Sequence, residues 1–170
     1  LLQSINALFL GYGFNEAMTS SLIGEPLLNQ FGITYQKDKA VFVQNPQSDE
    51  HTMLRQTTIA NILNAVKYNF DNGQKNIWIY EQGKTYLIHS PATKENSGVV
   101  ENLVISGAIT GDTNENLWKK HQKADFYTLK GIMDSLFSLL NLQNRIKLAP
   151  ADECEYLHPG RSAKVTLLSK

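Results

Sequence analysis

Cysteine and arginine are almost missing from this chain, and each scarcity excludes something. Cys154 stands alone, so neither an intrachain disulfide nor a cysteine-rich zinc site can form. Its neighbours Asp152, Glu153 and Glu155 disfavour the thiolate and argue against a reactive nucleophile. Arginine occurs only at positions 55, 145 and 161, which limits any site that grips phosphates with planar guanidinium forks. No run of about 18 apolar residues exists, the length a membrane-spanning helix needs. Residues 1–10 are apolar but lack a basic flank, so they read as a helix of the fold rather than a signal peptide. No Gly-x-Gly-x-x-Gly or Walker-type phosphate loop is present, and no His-Glu-x-x-His or close histidine pair. His51 and His158 each stand alone. The formal net charge is zero and the pI about 7.1, so the chain has no global attraction to nucleic acid or to an anionic membrane. The densest basic cluster is Lys119, Lys120, Lys123 and Lys130 with His121, for which solvated lysines are the default expectation.

What is present suits a core. The 170 residues are 42% hydrophobic, enough for a single domain over 1–170. The chain opens in mid-helix and stops within an expected strand over 163–168, so it is expected to be a piece of a longer polypeptide. Residues 45–86 organise the rest. Asn45-Pro46 starts a turn. Apolar residues at Ile59, Ile62, Leu63, Val66 and Phe70 then fall on one helical face. Gly73 stands where a helix-ending glycine belongs. The following strand is apolar at Ile77, Trp78, Ile79 and Tyr80 in succession, which predicts cover on both faces.

Before this stretch the sequence predicts a helix over 1–11, a strand over 14–23, a short helix over 25–30 with Pro26 at a tolerated early position, and a short strand over 40–43. After it come a strand over 101–110 with one small-residue face (Val104, Ser106, Ala108, Thr110) and a polar loop over 111–122 in which Trp118 is expected to plug a core edge. Asp125 then caps a helix. The wide stripe of Phe126, Leu129, Ile132, Met133, Leu136, Phe137 and Leu140 predicts that this helix lies flat on the sheet. Strands over 144–149 and 161–168 close the chain. Strands follow strands without regular helical crossovers, so the fold class is α+β with a mostly antiparallel sheet flanked by helices.

Two charged groups call for explanation. Asp49-Glu50-His51 reads as a polar turn before a helix, where acids favour the positive end. Glu81 lies on an otherwise apolar strand and, if buried, needs a partner. Lys84 or Arg55 can serve, and Glu81 and Lys84 are the structural ion-pair candidates.

Five stretches in order carry a resemblance: Gly13-Phe14-Asn15-Glu16-Ala17-Met18-Thr19; Asn45-Pro46-Gln47-Ser48-Asp49-Glu50-His51 with Leu54-Arg55; Tyr80-Glu81-Gln82-Gly83-Lys84-Thr85-Tyr86; Asp125-Phe126-Tyr127-Thr128-Leu129-Lys130-Gly131; and His158-Pro159-Gly160-Arg161-Ser162-Ala163. Together they resemble the beta chain of bacterial phenylalanine–tRNA ligase, over nearly the whole sequence. The resemblance implies the catalytic-like module of that chain, with the antiparallel fold of class II aminoacyl-tRNA synthetases but with the chemistry on the alpha chain. Class II sites place one arginine on a central strand and another on a glycine-rich helix. Here the corresponding strand carries Glu81-Gln82-Gly83-Lys84, and Arg55 precedes a helix.

The implied function is support of a catalytic alpha subunit by a segment with no catalytic, cofactor-binding or metal-binding residue of its own. Leu8, Tyr12, Phe14, Asn45, Pro46, Leu54 and Arg55 are the implied subunit-interface candidates. Residues 1–23 resemble the class II dimer-forming motif without its usual proline. ATP and magnesium belong to the whole enzyme, tRNA(Phe) is reached through the assembly, and a cytoplasmic location without a membrane is expected. Two alternatives stand beside this one. The first is a freestanding RNA- or small-ligand-binding domain, hinted at by Trp118 with its neighbouring lysines. The second is a degenerate enzyme that keeps ATP binding without turnover.

Overall fold

The structure is a computed structural model, and it describes residues 1–93, 96–113, 118, 122–151, 156–158 and 160–168. Its elements in chain order are α1 (Leu2–Gly11), β1 (Asn15–Glu16), β2 (Leu22–Ile23), α2 (Glu25–Gln30), β3 (Met53–Leu54), α3 (Ile59–Asp71), β4 (Ile77–Ile88), β5 (Val99–Thr110), α4 (Phe126–Leu139), β6 (Ile146–Pro150) and β7 (Ala163–Leu167). Helices and antiparallel strand pairs without regular crossovers make the α+β fold that the sequence predicts. Backbone contacts group the chain into two compact units. One comprises 1–15, 75–78 and 109–170, the other 16–74 and 79–108. The strand order β1-β4-β5 makes β4 the central strand of the largest sheet.

In the second unit, Ile23, Leu28, Ile33, Ala40, Met53 and Ala60 form a buried cluster, with Leu27, Phe31, Tyr35, Ile59 and Leu63 packed against it. Each large apolar side chain enclosed in this way contributes about 1.5–3 kcal/mol. The predicted helices appear where the periodicity puts them. Helix α2 carries Pro26 in its first turn, and α3 ends before Gly73, whose φ of 91° suits glycine. The residue ahead of α2 must also be glycine. A Cβ on Gly24 would lie 1.9 Å from the Asp49 carbonyl oxygen, so the backbone at 49–50 passes only because no side chain is there.

Two predicted strands are shorter than expected. The run over 14–23 splits into β1 and β2 because the chain changes partner between them. Ala17 N–H donates to the Tyr80 carbonyl at 2.7 Å, whereas Leu22 and Ile23 pair with Leu54 and Met53. The strand expected over 40–43 reduces to one bridge, Phe42 with Met53, flanked by Leu54 N–H to Val41 O and Val43 N–H to Thr52 O. Asn45-Pro46 follows at once and ends the pairing.

Strand β4 is covered on both faces, as its unbroken apolar run predicts. Tyr80 and Glu81 are neighbours and so face opposite ways, yet they are 0% and 3% exposed. Burial pushes the Tyr80 phenol up, and the Glu16 carboxylate adds to the shift. The small-residue face of β5 is used for close approach, with Ser106 Oγ hydrogen-bonded to Thr58 Oγ1 at the start of α3.

In the first unit, Ile5 and Phe9 bury one face of α1. Phe14 stands edge-on to Phe9 at 5.3 Å and to Trp78 at 5.2 Å. Helix α4 starts with a full capping box. Asp125 accepts from Thr128 N–H at 2.8 Å, and Thr128 Oγ1 accepts from Asp125 N–H at 3.3 Å. These bonds to Thr128 hold the Asp125 carboxyl below the usual aspartate range. The helix does not lie flat with its whole stripe covered. Ile132, Leu136 and Phe137 are buried, while Phe126 and Leu129 remain 41% and 44% exposed, and α1 is in contact with it. Strands β6 and β7 pair antiparallel from Ile146 with Leu167 to Pro150 with Ala163.

Trp118 departs most from expectation. It plugs nothing and is 92% exposed. Nearby, Thr113 N–H donates to the Gln122 carbonyl and Ala124 N–H to the Gly111 carbonyl.

Candidate functional site

Among the described residues, an enclosed polar constellation sits on β4, where the sequence places an acid among apolar residues. Glu81 and Arg55 form an ion pair at 2.8 Å, with side chains 4% and 3% exposed. Arg55 directly follows β3, and its backbone N–H donates to the Ser21 carbonyl. That bond holds the residue against the stretch between β1 and β2. Four of the five guanidinium N–H groups are then committed. Nε donates to the Lys84 carbonyl at 2.9 Å, Nη1 to Thr19 Oγ1 at 2.7 Å and to the Ser20 carbonyl at 3.3 Å, and Nη2 to Glu81 Oε1. Thr19 closes the ring by donating its hydroxyl to Glu81 Oε2 at 2.7 Å, and its N–H reaches Oε1 at 3.4 Å.

Gly83 makes room for this network. A Cβ there would stand 2.3 Å from Arg55 Nη2 and 2.9 Å from Glu81 Oε1. A desolvated pair of this kind is tolerated because both charges are matched and each of their nitrogen and oxygen atoms has a hydrogen-bond partner. Chemically the knot is closed: the cation is neutralised, and its donors point at protein atoms.

The two ion-pair candidates separate. Lys84, three residues beyond Glu81 on an extended strand, faces the other way. It pairs with Glu101 of β5, whose carboxylate holds the Lys84 ammonium above the usual lysine range. Arg55 is thus the partner of Glu81.

The subunit-interface candidates also fall into groups. Phe14, 4% exposed, and Arg55, 2% exposed, have side chains enclosed within the chain. Leu8 is half-buried on α1, and Leu54 is half-buried opposite Leu22. Tyr12 is 42% exposed with its hydroxyl 2.6 Å from Ser135 Oγ, and Asn45 and Pro46 are exposed.

Asp49, Glu50 and His51 form an exposed turn. His51 N–H donates to the Ser48 carbonyl, and His51 Nδ1 lies 3.3 Å from Ser48 Oγ. Of the basic cluster, Lys130 pairs with Asp134 at 2.7 Å and Lys123 is exposed. Lys119, Lys120 and His121, like Asp152, Glu153, Cys154, Glu155 and Pro159, lie outside the described residues. Among the described residues no three histidine, cysteine, aspartate or glutamate side chains converge to hold a metal ion. Among them also, no helix is long and apolar enough to cross a membrane.

Sequence reasoning missed Thr19 and Gly83 as members of the knot. Its only signals were a run of small polar residues (Thr19, Ser20, Ser21) and a glycine two positions from the buried acid. It also missed Asn61 on α3, buried at 8% exposure with its Oδ1 unpartnered.

Residues 1–170 match the model of the phenylalanyl-tRNA synthetase beta chain CLM domain. The beta subunit of phenylalanine–tRNA ligase from Geobacillus kaustophilus is 35% identical over 161 residues, covering 94% of this chain and 19% of that protein. The Bacillus subtilis beta subunit is 32% identical over 158 residues, with 92% and 19% covered. The Staphylococcus epidermidis beta subunit is 33% identical over 161 residues. The chain therefore spans about a fifth of the length of these curated relatives, 19% in each case. Among solved structures, the pyrrolysyl-tRNA synthetase PylSc of Desulfitobacterium hafniense superposes with a TM-score of 0.60 at 14% identity, over 98% of this chain and 54% of that one. That likeness is one of fold.

Proposed function

The chain belongs to the family of the phenylalanyl-tRNA synthetase beta chain CLM domain, and from that premise we propose that it is a non-catalytic structural module which supports a catalytic alpha subunit. The whole assembly joins phenylalanine to tRNA(Phe) with ATP and magnesium, in the cytoplasm, and this module contributes shape rather than chemistry. The observation that carries the proposal is the closed knot at Arg55. Activating an amino acid on ATP requires preorganised cations that face the phosphates and the charge developing between them. The arginine beside the central strand faces Glu81, Thr19 and two backbone carbonyls instead, and its side chain is 3% exposed. Opening it to a nucleotide would strand Glu81 unpaired in a dry setting, which costs several kcal/mol.

The test is phenylalanine-dependent exchange of pyrophosphate into ATP, measured on this chain alone and on the intact assembly. The chain alone should show no exchange and the assembly should exchange freely, with an alpha subunit co-purifying with the full beta subunit. Exchange sustained by the chain alone would overturn the proposal.

A second reading, nucleic-acid binding, draws on Trp118, whose exposed ring is followed in sequence by two lysines. A stacking platform beside phosphate contacts would give RNA affinity that falls steeply with salt.

A further inference from the structure

Beside Asn61, within the second unit, lies a cavity of about 520 Å³, a size ordinary for small-ligand sites. One wall is apolar, built by Leu22 and Leu27, and the other is the face of α3 that carries Asn61, Asn64, Tyr68 and Asn69. Two of the amides on that face, Asn61 and Asn69, are oriented by their own hydrogen bonds. Asn61 Nδ2 donates to the Ser20 carbonyl at 3.2 Å, and Asn69 Nδ2 donates to the Ala65 carbonyl at 2.8 Å. In each case a donor is committed to the backbone and the carboxamide oxygen is left as an acceptor. The Asn61 oxygen is buried and has no partner. Glu50 adds a carboxylate at the exposed edge, and no lysine or arginine is among the residues that line the cavity.

We propose that this cavity binds an organic cation that donates several N–H bonds, an alkylammonium or guanidinium group, with Asn61 as its buried acceptor and Glu50 as its counter-charge. His51 also lines the cavity, beside Glu50 in the exposed turn, so a phosphate or carboxylate is opposed by the Glu50 charge and the unmet Asn61 oxygen rather than by a lack of donors. A purely apolar ligand would leave the Asn61 oxygen as unmet as it is now. Because that oxygen has no accessible surface, a donor reaches it only when the Asn61 carboxamide turns, exchanging the Nδ2 bond to the Ser20 carbonyl for a stronger bond to a charged donor. The alkyl stem of the cation lies against Leu22 and Leu27, as lysine and arginine stems do on apolar surfaces. The group is supplied either by a free amine or by a lysine or arginine side chain of a partner protein. None of this depends on the supporting role proposed above.

The test is ligand-observed saturation-transfer NMR with titration, on the intact protein that carries this chain. The probes are n-butylammonium, methylguanidinium, 1-butanol, inorganic phosphate and a blocked Gly-Lys-Gly peptide. Saturation transfer is expected to the two cations and to the peptide, with 1-butanol and phosphate silent. Tighter binding of the peptide than of n-butylammonium assigns the site to a partner side chain, and the reverse order assigns it to a free amine. Asn61→Leu should weaken the cations on the order of tenfold or more, since a hydrogen bond to a charged group is lost. Glu50→Gln, at an exposed position, should weaken them about two- to fivefold. Asn69→Leu provides a second variant in the wall if Asn61→Leu fails to fold. Equal transfer to 1-butanol, a preference for phosphate, or cation affinity unchanged in the folded variants would overturn the proposal.

Discussion

Replacing Glu81 by leucine should be among the most damaging single substitutions in this chain. Glu81 and Arg55 are 4% and 3% exposed at the side chain and 2.8 Å apart, so neither charge has water to fall back on. Glu81→Leu leaves the guanidinium enclosed with only neutral acceptors, the Thr19 hydroxyl and the carbonyls of Ser20 and Lys84. Removing one partner of a buried pair costs about 3–5 kcal/mol. That is a large share of the about 5–15 kcal/mol that holds a domain folded. For a chain of this length it corresponds to a fall in melting temperature of about 6–20 °C. Arg55→Met should cost a similar amount, since it strands the carboxylate.

The double variant Arg55→Met with Glu81→Leu removes both charges and both desolvation penalties. It should return to within about 2 kcal/mol of the parent, because buried pairs are often replaceable by apolar groups of similar volume. The coupling energy from the double-mutant cycle should then exceed the about 0.5–3 kcal/mol usual for touching residues. Urea denaturation at neutral pH, followed by far-ultraviolet circular dichroism with the slope held common, measures all four proteins. A cost below about 1 kcal/mol for Glu81→Leu would be the cost of an exposed surface pair. It would refute the enclosed knot and the functional proposal that rests on it.

Two further outcomes follow from titration. Tyr35 donates its phenol to the Glu25 carboxylate, and this bond, more than burial, pushes its pKa up to about 12. Its folded value is raised, so its contribution is complete below the unfolded value of about 10 and is lost as pH rises through the folded one. In phenolate absorbance the step that disappears in Tyr35→Phe should therefore be a late one, and loss of a step near pH 10 would contradict the bond. Asp125 runs the other way. Its carboxyl is lowered by the bonds to Thr128, so its contribution is present above the unfolded value and is lost as pH falls through the folded one. Asp125→Ala should lower the thermal midpoint at neutral pH and flatten its acid dependence. Asp125→Asn should recover most of the neutral-pH loss, because asparagine caps nearly as well.

The sequence by itself determined the local elements and the class of fold. Helix α3 was legible in the spacing of Ile59, Ile62, Leu63, Val66 and Phe70, α4 in Asp125 and the stripe that follows it, and β4 in its unbroken apolar run. Each is set by propensity and periodicity over neighbouring residues. The order of the five stretches pointed to the family, and the need of Glu81 for a partner was evident from its setting. Contacts far apart in sequence decided the rest. Arg55 and Thr19 meet Glu81 across 26 and 62 residues, and periodicity carries no information on which distant group arrives. Strand alternation turns Lys84 away from Glu81, but nothing local brings Arg55 to it. The split of the run over 14–23 depended on a change of strand partner. The amide face of α3 beside the cavity was likewise invisible, because an asparagine in a helix looks solvated until the tertiary fold fixes which of its atoms is left without a partner.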